Sequence, residues 1–281
     1  MISCNLCGGL GNQLFQIFTT IAYAIDRSEP FFFLNNLDNE GTTKRYTYWD
    51  TFLSSLKPFL IENKNLRPFM PLYEKHFHYE PLPNIYTSEN YPIFLIGYFQ
   101  SPKYFHKCKS TICKLLKIKS NQQMIQEKSG NLSNEITTIS MHFRFGDYKK
   151  YPKVYPLLTE TYYSNALNYI INNDISHTKK VLYFCEDESL TDVEPIIEIL
   201  KTKFPNIAFD RANSLLLLND WEQMLLMSIC NHNIIANSTF SWWGAYLNEN
   251  ANRIVCYPSQ WFMPEARKNT NDLFLDDWVP F

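Results

Sequence analysis

Two kinds of hydrophobic pattern alternate along this chain: short continuous apolar runs, and longer segments whose apolar residues return every three or four positions. The first kind predicts buried strands over residues 2–7, 92–97, 136–143, 181–185, 207–209, 234–236 and 254–257. The second predicts helices. Over residues 12–27, Leu14, Phe15, Phe18, Ile21, Ala22 and Ile25 fall on one face; over 159–173, Tyr162, Tyr163, Ala166, Leu167, Ile170 and Ile171 do. Thr191 and Glu194 have the spacing of a capping box for a helix running to Lys203, before Pro205, and Asp220 with Gln223 could cap another through Ile229. The stretch NSTFSWWGAYLN, residues 237–248, turns from a strand end into a helix. Strands alternating with helices build a parallel, doubly wound sheet that takes its ligand at the carboxyl ends of the strands.

The pattern is not uniform. Residues 28–90 are rich in aromatics, Pro and Asn and predict short elements with long loops. The most polar stretch, SNQQMIQEKSGNLSNE at 120–135, predicts a boundary between two domains, 1–130 and 131–281. A length of 281 residues with 45% hydrophobic and 16% aromatic side chains supports two such cores.

Charge and cysteine usage narrow the function classes. A formal charge of −2 without a basic block argues against a nucleic-acid backbone as partner, although one well-placed arginine suffices for a small anion. No basic leader precedes Cys4 and Cys7, and the apolar run 14–25, broken by Gln16, Thr19, Thr20 and Tyr23, is too short to span a bilayer. The expectation is a cytoplasmic protein, soluble or peripheral to a membrane, without signal peptide or transmembrane segment. Seven scattered cysteines, with one CxxC at Cys4 and Cys7 and no histidine at zinc spacing, read as reduced, mostly buried thiols.

Four segments carry candidate chemistry. GGLGNQLFQ (8–16) puts a glycine turn, Gly9 to Gly11, before a helix whose first turn bears Asn12 and Gln13. It is neither a P-loop nor a full dinucleotide fingerprint, so it is a tight β-α connection or an anion site at the helix start. HFRFGDY (142–148) ends a strand with His142 and Arg144 two apart on one face, and with Asp147 close by. Arg144 there grips phosphate oxygens, or pairs with Asp147 to brace a loop. In IIANSTFSWWGAYL (234–247), Asn237, Ser238, Thr239, Phe240 and Ser241 open a helix, either as a phosphate cradle or as ordinary capping by Ser238 or Ser241. CEDE (185–188) offers Glu186 and Asp187 to a base or ribose, to a metal, or simply to a helix dipole. Trp242 and Trp243 read as core.

With GYFQSPKYF, YPLLTETYYSNAL, LYFCED, LMSICNHNIIANSTFSWWGAYLN and YPSQWF, these segments in order resemble the α-1,2-fucosyltransferases of glycosyltransferase family 11, and the resemblance spans most of the chain. It implies an α/β fold of GT-B type, two Rossmann-like domains facing a central cleft, with 1–130 on the acceptor side and 131–281 binding the GDP-sugar. It implies inverting transfer from GDP-β-L-fucose to a glycan hydroxyl, usually the 2-hydroxyl of a galactose, with no metal and no cofactor beyond the donor substrate. Its partners are then a GDP-sugar and a galactose-containing glycan, and the missing anchor suits a bacterial-type or viral enzyme.

Mapped on this chain, Arg144, Asn12 and Asp147 are the catalytic candidates, Asp147 being either a general base or only a brace for Arg144. Gly9, Gly11, His142, Arg144, Glu186, Asp187, Asn237, Ser238, Thr239, Phe240 and Ser241 are the donor-binding ones. Three positions depart from the family's habit: Phe145 replaces a second arginine, Glu186 an aspartate, and Gln223 an acid. Phe145 keeps open another GDP-sugar as donor, or a homologue that binds glycan or nucleotide with weakened catalysis.

Overall fold

The computed structural model describes residues 1–35, 38–39, 45–62, 68–85, 91–130, 136–176, 178–212 and 217–281. The chain forms two compact units, Met1–Asn121 with Lys268–Leu275, and Gln122–Arg267 with Asp276–Phe281.

In the first unit, β1 (Ile2–Cys4) leads into the 17-residue helix α1 (Leu10–Asp26). The helix begins two residues earlier than periodicity suggested, so Gly11 lies inside it. Nearly every residue from Leu10 to Ala24 is buried, and Phe15 and Phe18 both meet the Phe105 ring, at 5.8 and 5.4 Å. Two short pairs follow: β2 (Phe33–Leu34) with β5 (Leu60–Ile61), parallel, and β3 (Asp38–Asn39) with β4 (Arg45–Tyr46), antiparallel. The main sheet has the order β1-β7-β6, where β6 is Met70–Tyr73 and β7 is Ile93–Ile96, all parallel. Pro71 had hidden β6 in the sequence. An edge strand tolerates proline because one side needs no N–H. Helix α2 (Lys109–Leu115) completes the unit.

The polar stretch taken as a boundary is largely ordered as α3 (Ile118–Lys128), and the two units part within it. Residues 131–135 of that stretch lie outside the described residues. The second unit then follows the predicted alternation: β8 (Thr137–His142), α4 (Glu160–Asn173), β9 (Lys179–Phe184), α5 (Leu190–Lys203), β10 (Ala208–Arg211), α6 (Asp220–Ser228), β11 (His232–Ile234), α7 (Thr239–Tyr246), β12 (Val255–Tyr257) and β13 (Val279–Pro280). Its six strands are all parallel, in the order β10-β9-β8-β11-β12-β13. That is the 3-2-1-4-5-6 order of a Rossmann sheet, in which the winding reverses between β8 and β11.

Both expected capping boxes are corrected. Thr191 lies inside α5, which is entered through the 3₁₀ turn Asp187–Ser189 and has no side-chain cap. The box on α6 sits one residue earlier than expected. Glu222 accepts from the Asn219 N–H at 2.7 Å, and Asn219 is the extended residue that can cap. Among the described residues no helix is long and apolar enough to cross a membrane.

Candidate functional site

The reversal between β8 and β11 opens a crevice at their carboxyl ends. The chain leaves β8 at His142 and runs into Phe143–Tyr148; it leaves β11 at Ile234 and runs into α7. Three of the four predicted segments meet at this sheet edge, CEDE joining through the Arg144–Glu186 ion pair, and two hydrogen bonds join the β8 and β11 segments. His142 Nδ1 and Ser241 Oγ lie 2.9 Å apart, and the Tyr148 hydroxyl donates to the Asn237 carbonyl at 2.9 Å.

Alternation along β8 decides which side chains reach the crevice. Ile139, Met141, Phe143 and Phe145 belong to one core cluster with Tyr163, Leu167 and Val193 on α4 and α5. Ser140, His142 and Arg144 take the other face. Phe145 is thus a core residue, only 7% exposed, and its place beside Arg144 in sequence does not put it at the site.

The Arg144 guanidinium is buried apart from one side. Nη2 pairs with Asp147 at 2.5 Å, Nη1 pairs with Glu186, and the group lies over the Tyr148 ring, 5.0 Å from its centre. Burial opposes its charge, but Glu186, then Tyr148 and Asp147, outweigh that and hold its pKa above the ordinary value. Both alternatives for this segment remain in play: the brace between Arg144 and Asp147 is real, and it holds a full positive charge at the strand end. Gly146 passes so close to Glu186 that a Cβ there would collide with the carboxylate. Asp187 pairs instead with Arg211, the last residue of β10, and leaves its carboxylate mostly exposed.

His142 is the opposite case. Burial, followed by the nearby Arg144 charge, depresses its pKa to about 3. The ring is therefore neutral at physiological pH and serves as a hydrogen-bonding partner. The Tyr163 hydroxyl donates to its carbonyl at 3.1 Å and fixes the strand end.

Ser238 caps α7, its hydroxyl accepting from the Phe240 N–H at 3.4 Å, and Ser241 Oγ is shared between His142 and the Ser238 carbonyl. The capping alternative is thus what Ser238 does, while Thr239 opens the helix and Phe240 packs 5.6 Å from the His142 ring. Asn237 is buried and donates to the Pro156 and Trp261 carbonyls at 3.0 and 3.4 Å; its Oδ1 has no hydrogen-bond partner among the described residues. Trp242 and Trp243 are fully buried, as read from the sequence.

The glycine segment lies in the other unit, at the carboxyl edge of β1. The residue that needs glycine is Gly8, with φ +78° and Asn12 packed against it, whereas Gly9 is the extended N-cap of α1. The amides divide their work. Gln13 is buried and donates to the Gly8 and Tyr46 carbonyls at 3.1 and 3.0 Å; Gln16 accepts from the Cys7 N–H and donates to the Gly97 carbonyl. Gln13 thus braces the turn through its amide nitrogen, while its buried Oε1 has no hydrogen-bond partner among the described residues. Asn12 is half-buried, its Oδ1 accepting from Gln100 Nε2 at 3.0 Å.

Reading from the sequence missed Tyr148, the floor under Arg144, and Arg211, the partner of Asp187. It also missed Glu222, a buried acid that pairs with Lys128 at 2.8 Å. Tyr148 stood in the quoted motif and could have been found there; Arg211 carried no local signal. Among the described residues, no three His, Cys, Asp or Glu side chains gather where they could hold a metal ion, and no disulfide joins the cysteines.

A Rossmann sheet whose switch point carries an arginine, a neutral histidine and a hydroxyl-rich helix start, preceded by a second parallel-sheet unit, defines an α/β glycosyltransferase of GT-B type. The chain belongs to glycosyl transferase family 11, which it matches over residues 41–281. It is 28% identical to the O-antigen biosynthesis glycosyltransferase WbnK of Escherichia coli, over 99% of both chains. It is also 28% identical to an alpha-1,2-colitosyltransferase of Escherichia coli, over 99% of this chain and 98% of that one. A galactoside 2-alpha-L-fucosyltransferase of Caenorhabditis elegans is 24% identical over 88% of this chain and 68% of its own. Among solved structures, Arabidopsis thaliana FUT1, an R284K mutant in complex with GDP, superposes with a TM-score of 0.50 at 13% identity, covering 92% of this chain and 71% of that one, a likeness of fold.

Proposed function

We propose that this glycosyltransferase moves L-fucose from GDP-β-L-fucose to a glycan hydroxyl, the 2-hydroxyl of a galactose, by a single inverting displacement without a metal ion. The observation that carries the reading is the charged guanidinium of Arg144, held at the carboxyl end of β8 beside the start of α7. In the displacement, the acceptor oxygen attacks the anomeric carbon and negative charge gathers on the departing diphosphate. A fixed cation and the positive end of a helix dipole stabilise that charge without reorganising. The acids Glu186 and Asp187 already answer to Arg144 and Arg211, and this supports a guanidinium rather than a divalent ion as the counter-charge. Asp187, mostly exposed, remains the candidate for the base or ribose. The chain's division into 1–130 on the acceptor side and 131–281 on the donor side is part of the same proposal.

The name of the alpha-1,2-colitosyltransferase relative favours one second reading, the same chemistry with another GDP-linked deoxysugar. Phe145 packs in the core, while the second cation that the family carries at this position is still missing, so a homologue that binds with weakened catalysis stays an outcome of the donor assay. Purified protein incubated with GDP-fucose, GDP-mannose and a colitosyl donor, each with a galactoside acceptor, separates the readings. Turnover of GDP-fucose alone is expected; turnover of a different donor with GDP-fucose inert would overturn the first reading.

A further inference from the structure

Three segments of the Gln122–Arg267 unit close a circle of contacts beside Arg144 that the displacement proposed above leaves unused. The first is the 3₁₀ turn Gly146–Lys150, which carries Tyr148 and also Asp147, the partner of Arg144 Nη2. The second is the loop before α4, with Tyr155 and Pro156. The third is the YPSQWF segment leaving β12, with Trp261 and Phe262.

The Tyr148 ring stacks on Tyr155, their centres 3.9 Å apart and their planes 12° from parallel, and Tyr155 meets Phe262 at 5.7 Å. The Tyr148 hydroxyl donates to the Asn237 carbonyl at 2.9 Å. The Asn237 amide donates in turn to the carbonyl of Pro156, next to Tyr155, and to that of Trp261, next to Phe262. A bond from the Met263 N–H to the Val154 carbonyl at 2.9 Å ties the second segment to the third.

Within this circle Tyr148 meets Arg144, whose guanidinium lies 5.0 Å from the ring centre. Asn237 immediately precedes Ser238, the N-cap of α7. The hydroxyl therefore ties the turn that holds the cation to the residue that leads into the helix. The ring offers the guanidinium an attractive face; the hydrogen bond adds a fixed reach to α7, because it tolerates little change in length. Burial pushes the Tyr148 hydroxyl above its ordinary pKa, against the pull of the Arg144 charge, so it stays protonated as a donor.

We infer that Tyr148 is a positioning residue for the leaving diphosphate: its hydroxyl sets the spacing between the Arg144 guanidinium and the start of α7, so that one anion meets both. The aromatic stack and the Asn237 amide hold Tyr148 in place. This gives the segments that begin at Tyr155 and Tyr257 a task at the site without contact to the ligand.

The role rests on the transferase reading, in which Arg144 meets the diphosphate, and a double-mutant cycle keeps the two apart. GDP is titrated calorimetrically into the full chain and into Arg144→Ala, Tyr148→Phe and the double variant, with a thermal melt of each. Tyr148→Phe keeps the ring and removes only the tether. The expected result is a rise of roughly three- to tenfold in the GDP Kd for Tyr148→Phe, and no further rise where Arg144 is already alanine, because the tether acts through the guanidinium. Tyr155→Leu reads the same coupling through the next ring of the stack and serves if Tyr148→Phe does not fold; its effect should also vanish in the Arg144→Ala background. Equal losses in both backgrounds would make Tyr148 a structural residue only, and an unchanged Kd in the folded variant would remove the tether. Either result overturns this role and leaves the function reading standing. A wild-type protein that does not bind GDP, or binds it no better than Arg144→Ala, overturns the function reading and this role with it.

Discussion

The carboxyl edges of the two sheets have opposite characters. In the Gln122–Arg267 unit the edge is built around a cation. Arg144 is held by two acids, His142 is kept neutral beside it, and the start of α7 adds the positive end of its dipole. In the Met1–Asn121 unit the edge is built around amides and one carboxylate, Asn12, Gln100 and Glu74, fixed by backbone bent at Gly8, Gly97 and Phe99. One edge carries a fixed positive charge; the other carries neutral amides and a single carboxylate. The same architecture thus presents different side-chain chemistry in the two units, with strand-end residues making the difference.

The sharpest break of this comparison is Arg144→Ala. It should lower kcat by at least 10²–10³-fold, about 3–4 kcal/mol in the barrier, while melting temperature changes little, because the ion pairs lost have half-exposed carboxylate partners. Steady-state assays beside thermal melts check both halves, and activity close to wild type would remove the cation from the mechanism.

Next in size is Gly97→Ala in the other unit. The added methyl collides with Glu74, so a stability loss of roughly 1–3 kcal/mol is expected in urea melts. Transfer should fall more than GDP binding does, since the edge disturbed is not the cationic one.

A third test uses pH. The folded pKa of His142 lies at about 3, below its ordinary value of 6.5. Between those values the unfolded chain binds a proton that the folded chain refuses. Stability contributed by the neutral ring is thus complete above 6.5 and declines as pH falls towards 3, with a slope of about 1.4 kcal/mol per pH unit at most. Urea melts of wild type and His142→Asn across this range should differ by that one-proton slope; parallel curves would show that the ring takes up a proton in the folded protein.

The smallest effect is expected for Glu186→Gln. Removing one of the two carboxylates from Arg144 should tighten GDP binding by roughly two- to fivefold, under about 1 kcal/mol because the Glu186 side chain is half exposed. Calorimetric titration with GDP measures it. Weaker binding would assign Glu186 to the nucleotide itself, as its position after β9 had suggested.

Much of the second unit was legible before any coordinates. Several of its strands, such as β9 over residues 181–184, read as apolar runs, and its helices keep a clean face. The first unit was harder. Strand β6 carries Pro71 and an alternation too short to stand out, and Glu74 lies in a region of aromatics, Pro and Asn with no motif around it. The glycine turn was visible, but its logic was not. Gly8 rather than Gly9 or Gly11 takes the left-handed conformation, and Gln13, which looked like a ligand contact, ties down the turn. Phe145 shows the same limit. Adjacency to Arg144 suggested the site, while alternation along the strand sends it into the core.

From its own order of residues, this chain determined the alternation of strands and helices in the second unit, the approximate ends of most of those strands, and the polar residues gathered there. Those are properties of local period and turn chemistry, which act over a few residues. Only the tertiary structure decided that β8 lies beside β11, bringing Arg144 and α7 to one crevice, and that Glu74 lies against Phe99 and next to the Asn12 turn. Strand order and loop contact join residues far apart in the chain, and such pairings are selected by burial of the whole sheet rather than by any local signal.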